Sequence, residues 1–89
     1  MSIERIYVIG AGLMGHGIAQ VSAAAGKQVT LADQTLELAD KGKTRISGNL
    51  ERQVDKGKLE QQAADDVLAR ITTSAGTDGA AGHEIVIEA

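Results

Sequence analysis

The sequence contains no cysteine, proline, phenylalanine or tryptophan, and Tyr7 is its only aromatic residue. Without cysteine, neither a disulfide framework nor a thiolate metal site can form. Any core that the chain builds is therefore aliphatic except at Tyr7. There is also no apolar run that approaches the roughly 20 residues of a membrane-spanning helix. We therefore expect neither a metal site nor membrane insertion.

The charge balance is mildly acidic, with a net charge of −3. A negative chain is poorly suited to nucleic acid or to an anionic membrane as its main partner. The 89 residues, 43% of them apolar, suffice for one small domain with a core. Glu4 and Arg5 precede a short apolar stretch, which is not the pattern of a secretory signal. We therefore expect a cytoplasmic protein.

Changes in hydrophobic period predict four strands and three helices. Short apolar runs indicate strands buried on both faces, whereas apolar residues at helical spacing indicate helices. Thr35 is a suitable N-cap, and Gly26 and Gly57 are suitable C-terminal stops. The predicted strands cover residues 3–9, 28–32, 71–73 and 85–87, and the predicted helices cover 13–25, 35–57 and 59–70. In the first helix, apolar residues fall at helical spacing at Met14, Ile18, Val21 or Ser22, and Ala25. Its inner face is predicted to be unusually small, with Gly15, Ala19, Ala23 and Ala24.

The segment YVIGAGLMGHGIAQ, residues 7–20, places a G-x-G-x-x-G pattern between the first strand and the first helix. Gly10 would permit a tight turn, Gly12 the close approach of a pyrophosphate, and Gly15 the packing of the helix on the strand. The helix N-terminus adds free N–H groups and a positive dipole end. Asp33 follows Gly15 by 18 residues, and an acid there binds ribose hydroxyls and favours NAD over NADP. The alternative is a glycine-rich turn in an unrelated α/β protein.

The order of the elements predicts the fold class. Alternating buried strands and helices form a parallel sheet with right-handed crossovers. With the glycine pattern, this predicts a partial Rossmann fold, a four-stranded parallel sheet in the order 3-2-1-4 with flanking helices. Residues 1–89 would be the N-terminal portion of a dinucleotide-binding domain, truncated after the fourth strand. Because an uncovered edge strand pairs readily with another chain, we expect a homo-oligomer formed through the last strand or by segment exchange.

Several segments together resemble the N-terminal domain of the 3-hydroxyacyl-CoA dehydrogenases. These are VIGAGLMGHGIAQVSAAAG, the acid of LAD, LERQVDKGKL, LARITTS and the terminal IVIEA. The glycine string alone is less specific, because 6-phosphogluconate and 3-hydroxyisobutyrate dehydrogenases carry a related one. The resemblance covers the whole chain in order. It implies an NAD-dependent enzyme that oxidises (3S)-3-hydroxyacyl-CoA to 3-oxoacyl-CoA.

The resemblance also implies roles for individual residues. The cofactor-binding residues would be Gly10, Ala11, Gly12, Leu13, Met14, Gly15, Asp33, Gln34 and Ala89. Lys56 and Asn49 would face the CoA moiety of the substrate. Alternatively, Lys56 is a solvated charge at a helix C-terminus, and Met14 is a core residue. His16 is expected to be exposed or at the edge of the cofactor.

The family's catalytic His–Glu pair, with its assisting Ser and Asn, comes from segments beyond the fourth strand. This chain carries no match to them, so we expect no catalytic residue here. His83 and Glu84 are adjacent at the entry to a strand and would point to opposite sides, which is a poor geometry for a catalytic pair. Two other hypotheses stay open. One is a nucleotide-binding or self-assembling module without catalysis, and the other is a structural protein related to a dehydrogenase, as some crystallins are.

Overall fold

The computed structural model describes residues 4–76, 83 and 85–89. Ile3, Glu84 and the predicted loop 77–82 lie outside this described part. Within it, the elements match the predicted order, and β3 extends two residues further than predicted. The strands are β1 (Arg5–Ile9), β2 (Gln28–Asp33), β3 (Ile71–Ala75) and β4 (Ile85–Glu88), and the helices are α1 (Leu13–Ala24), α2 (Leu36–Asp55) and α3 (Gln61–Ala69).

The four strands form one parallel sheet in the order β3-β2-β1-β4, which confirms the predicted partial Rossmann topology. Val8 of β1 lies level with Leu31 of β2 and with Ile87 of β4. Since the strands are parallel and in this register, the carboxyl ends of β1, β2 and β4 meet at one edge of the sheet. The glycine turn follows β1 at this edge, and Asp33 is the last residue of β2.

The three helices pack on one face of the sheet and enclose an aliphatic core, as the composition predicts. Strand residues alternate between faces, and every second one points toward the helices. The buried members of this core are Ile6, Val8, Ala11, Ala19, Ala23, Val29, Leu31, Ile46, Leu50, Ala64, Val67 and Ile71.

The predicted small inner face of α1 is confirmed at Gly15, Ala19 and Ala23 and is wrong at Ala24, which is exposed. Met14 is 69% exposed and Val21 is 71% exposed, whereas Ala19 and Ala23 are fully buried. The helix presents its smallest side chains to the sheet because they allow the closest approach of the two backbones. Met14 and Val21 are consequently left on the outer side, whereas Ile18 packs against the core. The interpretation of Met14 as a core residue is therefore excluded.

Tyr7 is fully buried on the sheet face opposite the helices. Its hydroxyl donates to the Gly76 carbonyl at 2.9 Å. The ring of His83 meets the Tyr7 ring edge-on, with centroids 5.1 Å apart, and its Nε2 lies 3.1 Å from Thr30 Oγ1. His83 thus has packing and hydrogen-bonding roles on this face, at the entry to β4.

Helix α2 begins and ends where the sequence predicts. Thr35 caps it by accepting the Leu38 N–H at 3.2 Å, and Gly57 follows its C-terminus with a φ of +73°. A Cβ on Gly42 would lie 2.7 Å from Ala11 Cβ and 2.8 Å from Ala11 O, so α2 packs directly against the glycine turn.

None of the helices in the described part of the chain is long and apolar enough to cross a bilayer.

Candidate functional site

Gly10 makes the tight turn after β1, as predicted. Its φ is +100°, a conformation that residues with a Cβ rarely adopt. Its N–H donates to the Ala32 carbonyl of β2 at 2.7 Å. A Cβ here would also lie 3.0 Å from the Ala89 carbonyl oxygen. Both the backbone conformation and the approach of Ala89 therefore require glycine.

Gly15 and Gly12 differ in what surrounds them. A Cβ on Gly15 would lie 1.5 Å from the Gly10 carbonyl oxygen, which is impossible without displacing the turn. This confirms the prediction that Gly15 permits close packing of α1. A Cβ on Gly12 would meet nothing within 4 Å. Packing against the described residues therefore does not require glycine at this position, and the open space beside it lets a ligand approach the backbone.

The N-terminus of α1 opens at this turn without a protein cap. Gly12 is the N-cap residue, no side chain of the described residues caps the helix, and its first turn contains no acid. The first N–H groups of an α-helix have no intrahelical partners, and with the helix dipole they favour an anion. His16 is 7% exposed, so the expectation of an exposed residue is wrong. Its Nδ1 donates to the Gly12 carbonyl at 2.8 Å, because a carbonyl can only accept.

The Asp33 carboxylate is held in place by the backbone. Its Oδ2 accepts the Ala11 N–H at 2.9 Å, and its Oδ1 accepts the Gln34 N–H at 2.7 Å. The backbone carbonyl of Asp33 accepts the Gly76 N–H at 2.7 Å. Each carboxylate oxygen has a second acceptor direction available. The carboxylate is therefore fixed beside the glycine turn and can still accept hydrogen bonds from a ligand's hydroxyls.

A hollow of about 100 Å³ lies between Asp33, the glycine turn and α2. Its lining residues are Ala11, Gly12, Asp33, Leu38, Lys41 and Arg45. The sequence analysis missed the last three. Their spacing could have indicated them, because residues three or four apart on a helix share a face and α2 begins three residues after Asp33.

A second, larger groove of about 360 Å³ lies beside α1 and the C-terminal half of α2. Its lining residues are Gln20, Asn49, Arg52, Gln53, Lys56 and Lys58. Three of them are cations and none is an acid. Asn49 Nδ2 donates to Gln20 Oε1 at 3.2 Å, and Arg52 donates to Asn49 Oδ1. The groove thus brings together Asn49 and Lys56, which the sequence analysis connects with CoA.

The structure places the other predicted cofactor residues around the glycine turn. Leu13 begins α1, Gln34 follows Asp33, and the Ala89 N–H donates to the Ile9 carbonyl at 2.9 Å. Met14 lies in the first turn of α1 with its side chain exposed. In the described residues, no group of three or more His, Cys, Asp or Glu side chains could hold a metal ion.

The comparisons with known proteins agree with this geometry. Residues 5–89 match the family model described as "3-hydroxyacyl-CoA dehydrogenase, NAD binding domain". The chain is 40% identical over 88 residues to a 3-hydroxybutyryl-CoA dehydrogenase of Mycobacterium tuberculosis, covering 31% of that protein. It is 41% identical over 93 residues to the mitochondrial hydroxyacyl-coenzyme A dehydrogenase of Mus musculus, covering 30% of it.

A solved structure extends the similarity to three dimensions. The (S)-3-hydroxybutyryl-CoA dehydrogenase of Ralstonia eutropha superposes with a TM-score of 0.94 at 38% identity, over 99% of this chain and 31% of that one. The chain therefore spans about a third of the length of these relatives.

Proposed function

Because this chain belongs to the 3-hydroxyacyl-CoA dehydrogenase family through its NAD-binding domain, we propose that it holds the adenosine half of NAD at the glycine turn. NAD is the cofactor of this domain. The observation that carries the proposal is the fixed Asp33 carboxylate beside Gly12, whose missing Cβ leaves open space. The proposed contact residues are Gly10, Ala11, Gly12, Leu13, Met14, Gly15, Asp33, Gln34 and Ala89.

Each part of the turn has its own task in this proposal. The Gly10 turn points the chain into α1, whose first N–H groups donate to the pyrophosphate. Gly12 lets the pyrophosphate approach the backbone. The Asp33 carboxylate accepts hydrogen bonds from the adenosine ribose hydroxyls. The bound cofactor supplies a hydride acceptor, and the residues of this chain bind and orient it.

The reaction that we propose for the whole enzyme is the oxidation of a (3S)-3-hydroxyacyl-CoA to the 3-oxoacyl-CoA. The names of the relatives support this class of oxidoreductase. In this proposal, residues 1–89 contribute nucleotide binding, and further segments contribute the catalytic residues. Both histidines of the chain have contacts that suit structural roles, His16 with Gly12 and His83 with Thr30.

The groove at Asn49 and Lys56 is the proposed site for the CoA moiety. CoA carries several phosphate charges, and the three cations of the groove would attract them. The Asn49 amide is held by Gln20 and Arg52, so it presents a fixed polar group to a ligand. The Lys56 side chain has no hydrogen bond or ion pair to the other described residues and can reach a phosphate as a compact charge.

The experiment is a calorimetric titration of NADH into the chain and into Asp33→Ala. The matched control is Glu51→Ala, which removes an exposed carboxylate from α2. We expect binding that weakens at least about tenfold in Asp33→Ala, about 1.4 kcal/mol, and stays unchanged in the control. Equal affinity in Asp33→Ala and the wild-type chain would contradict the proposed site.

We also propose self-association through β4. Among the described residues, this strand pairs with β1 alone, which leaves its other edge available to a second chain.

The cytoplasmic location stays a prediction. The sequence favours the cytoplasm, whereas one relative is mitochondrial by name.

A binding module without catalysis is the second candidate function. Its support is that the described site contains nucleotide-binding geometry only.

A further inference from the structure

Four of the five cations of helix α2 and its C-cap lie in one narrow stripe; the fifth, Lys43, points to the other side and donates to the Ile71 carbonyl. At 3.6 residues per turn, the four fall within about 60° of the helix circumference and extend over about 22 Å. These cations are Lys41, Arg45, Arg52 and Lys56, and the helix acids, Glu37, Asp40, Glu51 and Asp55, occupy an adjoining sector. The stripe therefore joins the hollow beside Asp33 to the larger groove.

The stripe contains two pairs of like charges one turn apart, Lys41 with Arg45 and Arg52 with Lys56. Like charges at this spacing destabilise a helix. Among the described residues, neither the Lys41 nor the Arg45 side chain has a hydrogen bond or an ion pair, although Glu37 lies one turn before Lys41. An anion bound between the first two cations would relieve their repulsion.

Lys41 and Arg45 line the same hollow as Asp33 and the glycine turn. The close packing of Gly42 on Ala11 fixes this part of α2 against the turn, so the two cations belong to the site rather than to a distant surface. The described residues that line the hollow include two cations and one carboxylate, which together contribute a net charge of +1. If Asp33 were the only charged group at this NAD site, the lining would instead carry a negative charge.

We propose that Lys41 and Arg45 form a phosphate subsite beside the adenosine ribose, which takes the 2′-phosphate of an NADP-type nucleotide. This inference rests on the proposed NAD site. Among the described residues that line the hollow, Asp33 is the one acid, and it opposes a 2′-phosphate. The chain therefore prefers NAD through short-range repulsion by one carboxylate, and it already contains the positive charges that a 2′-phosphate needs.

The test is a comparison of NADH and NADPH binding by calorimetry in matched variants. In Asp33→Asn, we expect the affinity for NADPH to rise at least about tenfold relative to that for NADH. Adding Lys41→Gln or Arg45→Gln to Asp33→Asn removes most of this gain. Adding Lys27→Gln, which deletes the same charge away from the hollow, preserves it.

A second measurement leaves Asp33 intact, so that it does not depend on how the Asn variant folds. In the wild-type background, Lys41→Gln and Arg45→Gln weaken NADPH more than NADH, by about threefold or more in the ratio of dissociation constants, while Lys27→Gln leaves the ratio unchanged. An unchanged ratio in both cation variants, with NADH still bound, overturns the subsite alone. Absence of NADH binding in the wild-type chain instead overturns the proposed cofactor site and the subsite with it.

Discussion

The glycines of the turn look equivalent in the sequence, but the physical reason for glycine differs from one position to the next. Gly10 is required by its positive φ, and Gly15 by the backbone oxygen that a Cβ would meet. Gly12 and Gly17 have open space where a Cβ would be. Packing therefore explains two of the four glycines, and a bound ligand is the proposed reason for Gly12.

Gly15→Ala tests the packing requirement. The added Cβ must displace the Gly10 carbonyl, so we expect a loss of about 1–3 kcal/mol in the free energy of unfolding, as in other overpacked cores. Gly17→Ala is the control on the same helix. It should stabilise the chain by about 0.5–1 kcal/mol, because alanine reduces the entropy cost at a helix position where the added Cβ meets no described atom. Urea unfolding followed by circular dichroism measures both, and equal stability of the two variants would refute the packing role of Gly15.

Gly12→Ala separates ligand space from packing. We expect the free energy of unfolding to change by less than about 1 kcal/mol, the scale of an N-cap substitution, because no protein atom surrounds the new Cβ. The affinity for NADH should fall at least about tenfold, since the methyl group occupies the proposed pyrophosphate space. Unfolding and calorimetry on one sample test both. Retained affinity in a stable variant would argue against pyrophosphate at Gly12.

Among the elements, α2 has the most consequences for the site, because it packs on the glycine turn and carries the cationic stripe. Its close approach depends on Gly42, which faces Ala11 and a methyl group of Leu31. Gly48, on the same helix, faces only the guanidinium of Arg52 at 4.0 Å. The two glycines thus provide a matched pair for testing the position of the helix.

Gly42→Ala should move α2 away from the turn. We expect a loss of about 1–3 kcal/mol of stability together with weaker NADH binding, because Ala11 both contacts α2 and donates to Asp33. Gly48→Ala should gain up to about 1 kcal/mol without changing the affinity. Unfolding midpoints and titrations distinguish these outcomes. A stable Gly42→Ala with unchanged affinity would show that the close contact is dispensable.

The sequence predicts the elements better than it predicts which side of each helix faces the site. The roles of Gly10 and Gly15 follow from spacing, because a turn and a close packing contact are local requirements. The outward position of Val21 could not be predicted, because it depends on how closely the alanines of α1 approach the sheet. The spacing of Lys41 and Arg45 indicates that they share a face of α2, but that this face meets the site follows from the packing of Gly42 on Ala11.

At the scale of the whole molecule, the sheet has helices on one face and an uneven cover on the other. Tyr7 is fully buried there, yet Val86 of β4 remains 47% exposed. The outer edge of β4 adds unpaired backbone groups within the described part of the chain. Both features lie on the same strand, and they make it the expected place of contact with a second chain.

Self-association through β4 predicts a dimer in sedimentation velocity at high micromolar concentration. The Ala89 N–H points to β1, and N–H groups alternate sides along a parallel strand, so that of Val86 points to the outer edge. Val86→Pro removes this donor and spares the ladder with β1, so the dimer should dissociate while the sheet remains. A wild-type chain that sediments as a monomer at that concentration would contradict self-association through β4.

The most direct measurement of the central claim is an amide NMR titration of the isotopically labelled chain with NADH. The account predicts that shift changes concentrate at the glycine turn, residues 10–15, and at Gln34, whose N–H is bonded to Asp33. The amides of α3, which lie outside the site, should serve as the unchanged reference. Shift changes confined to α3 or to the sheet face opposite the helices would contradict the assignment of the glycine turn as the nucleotide site. The absence of any shift change at saturating NADH would contradict it as well.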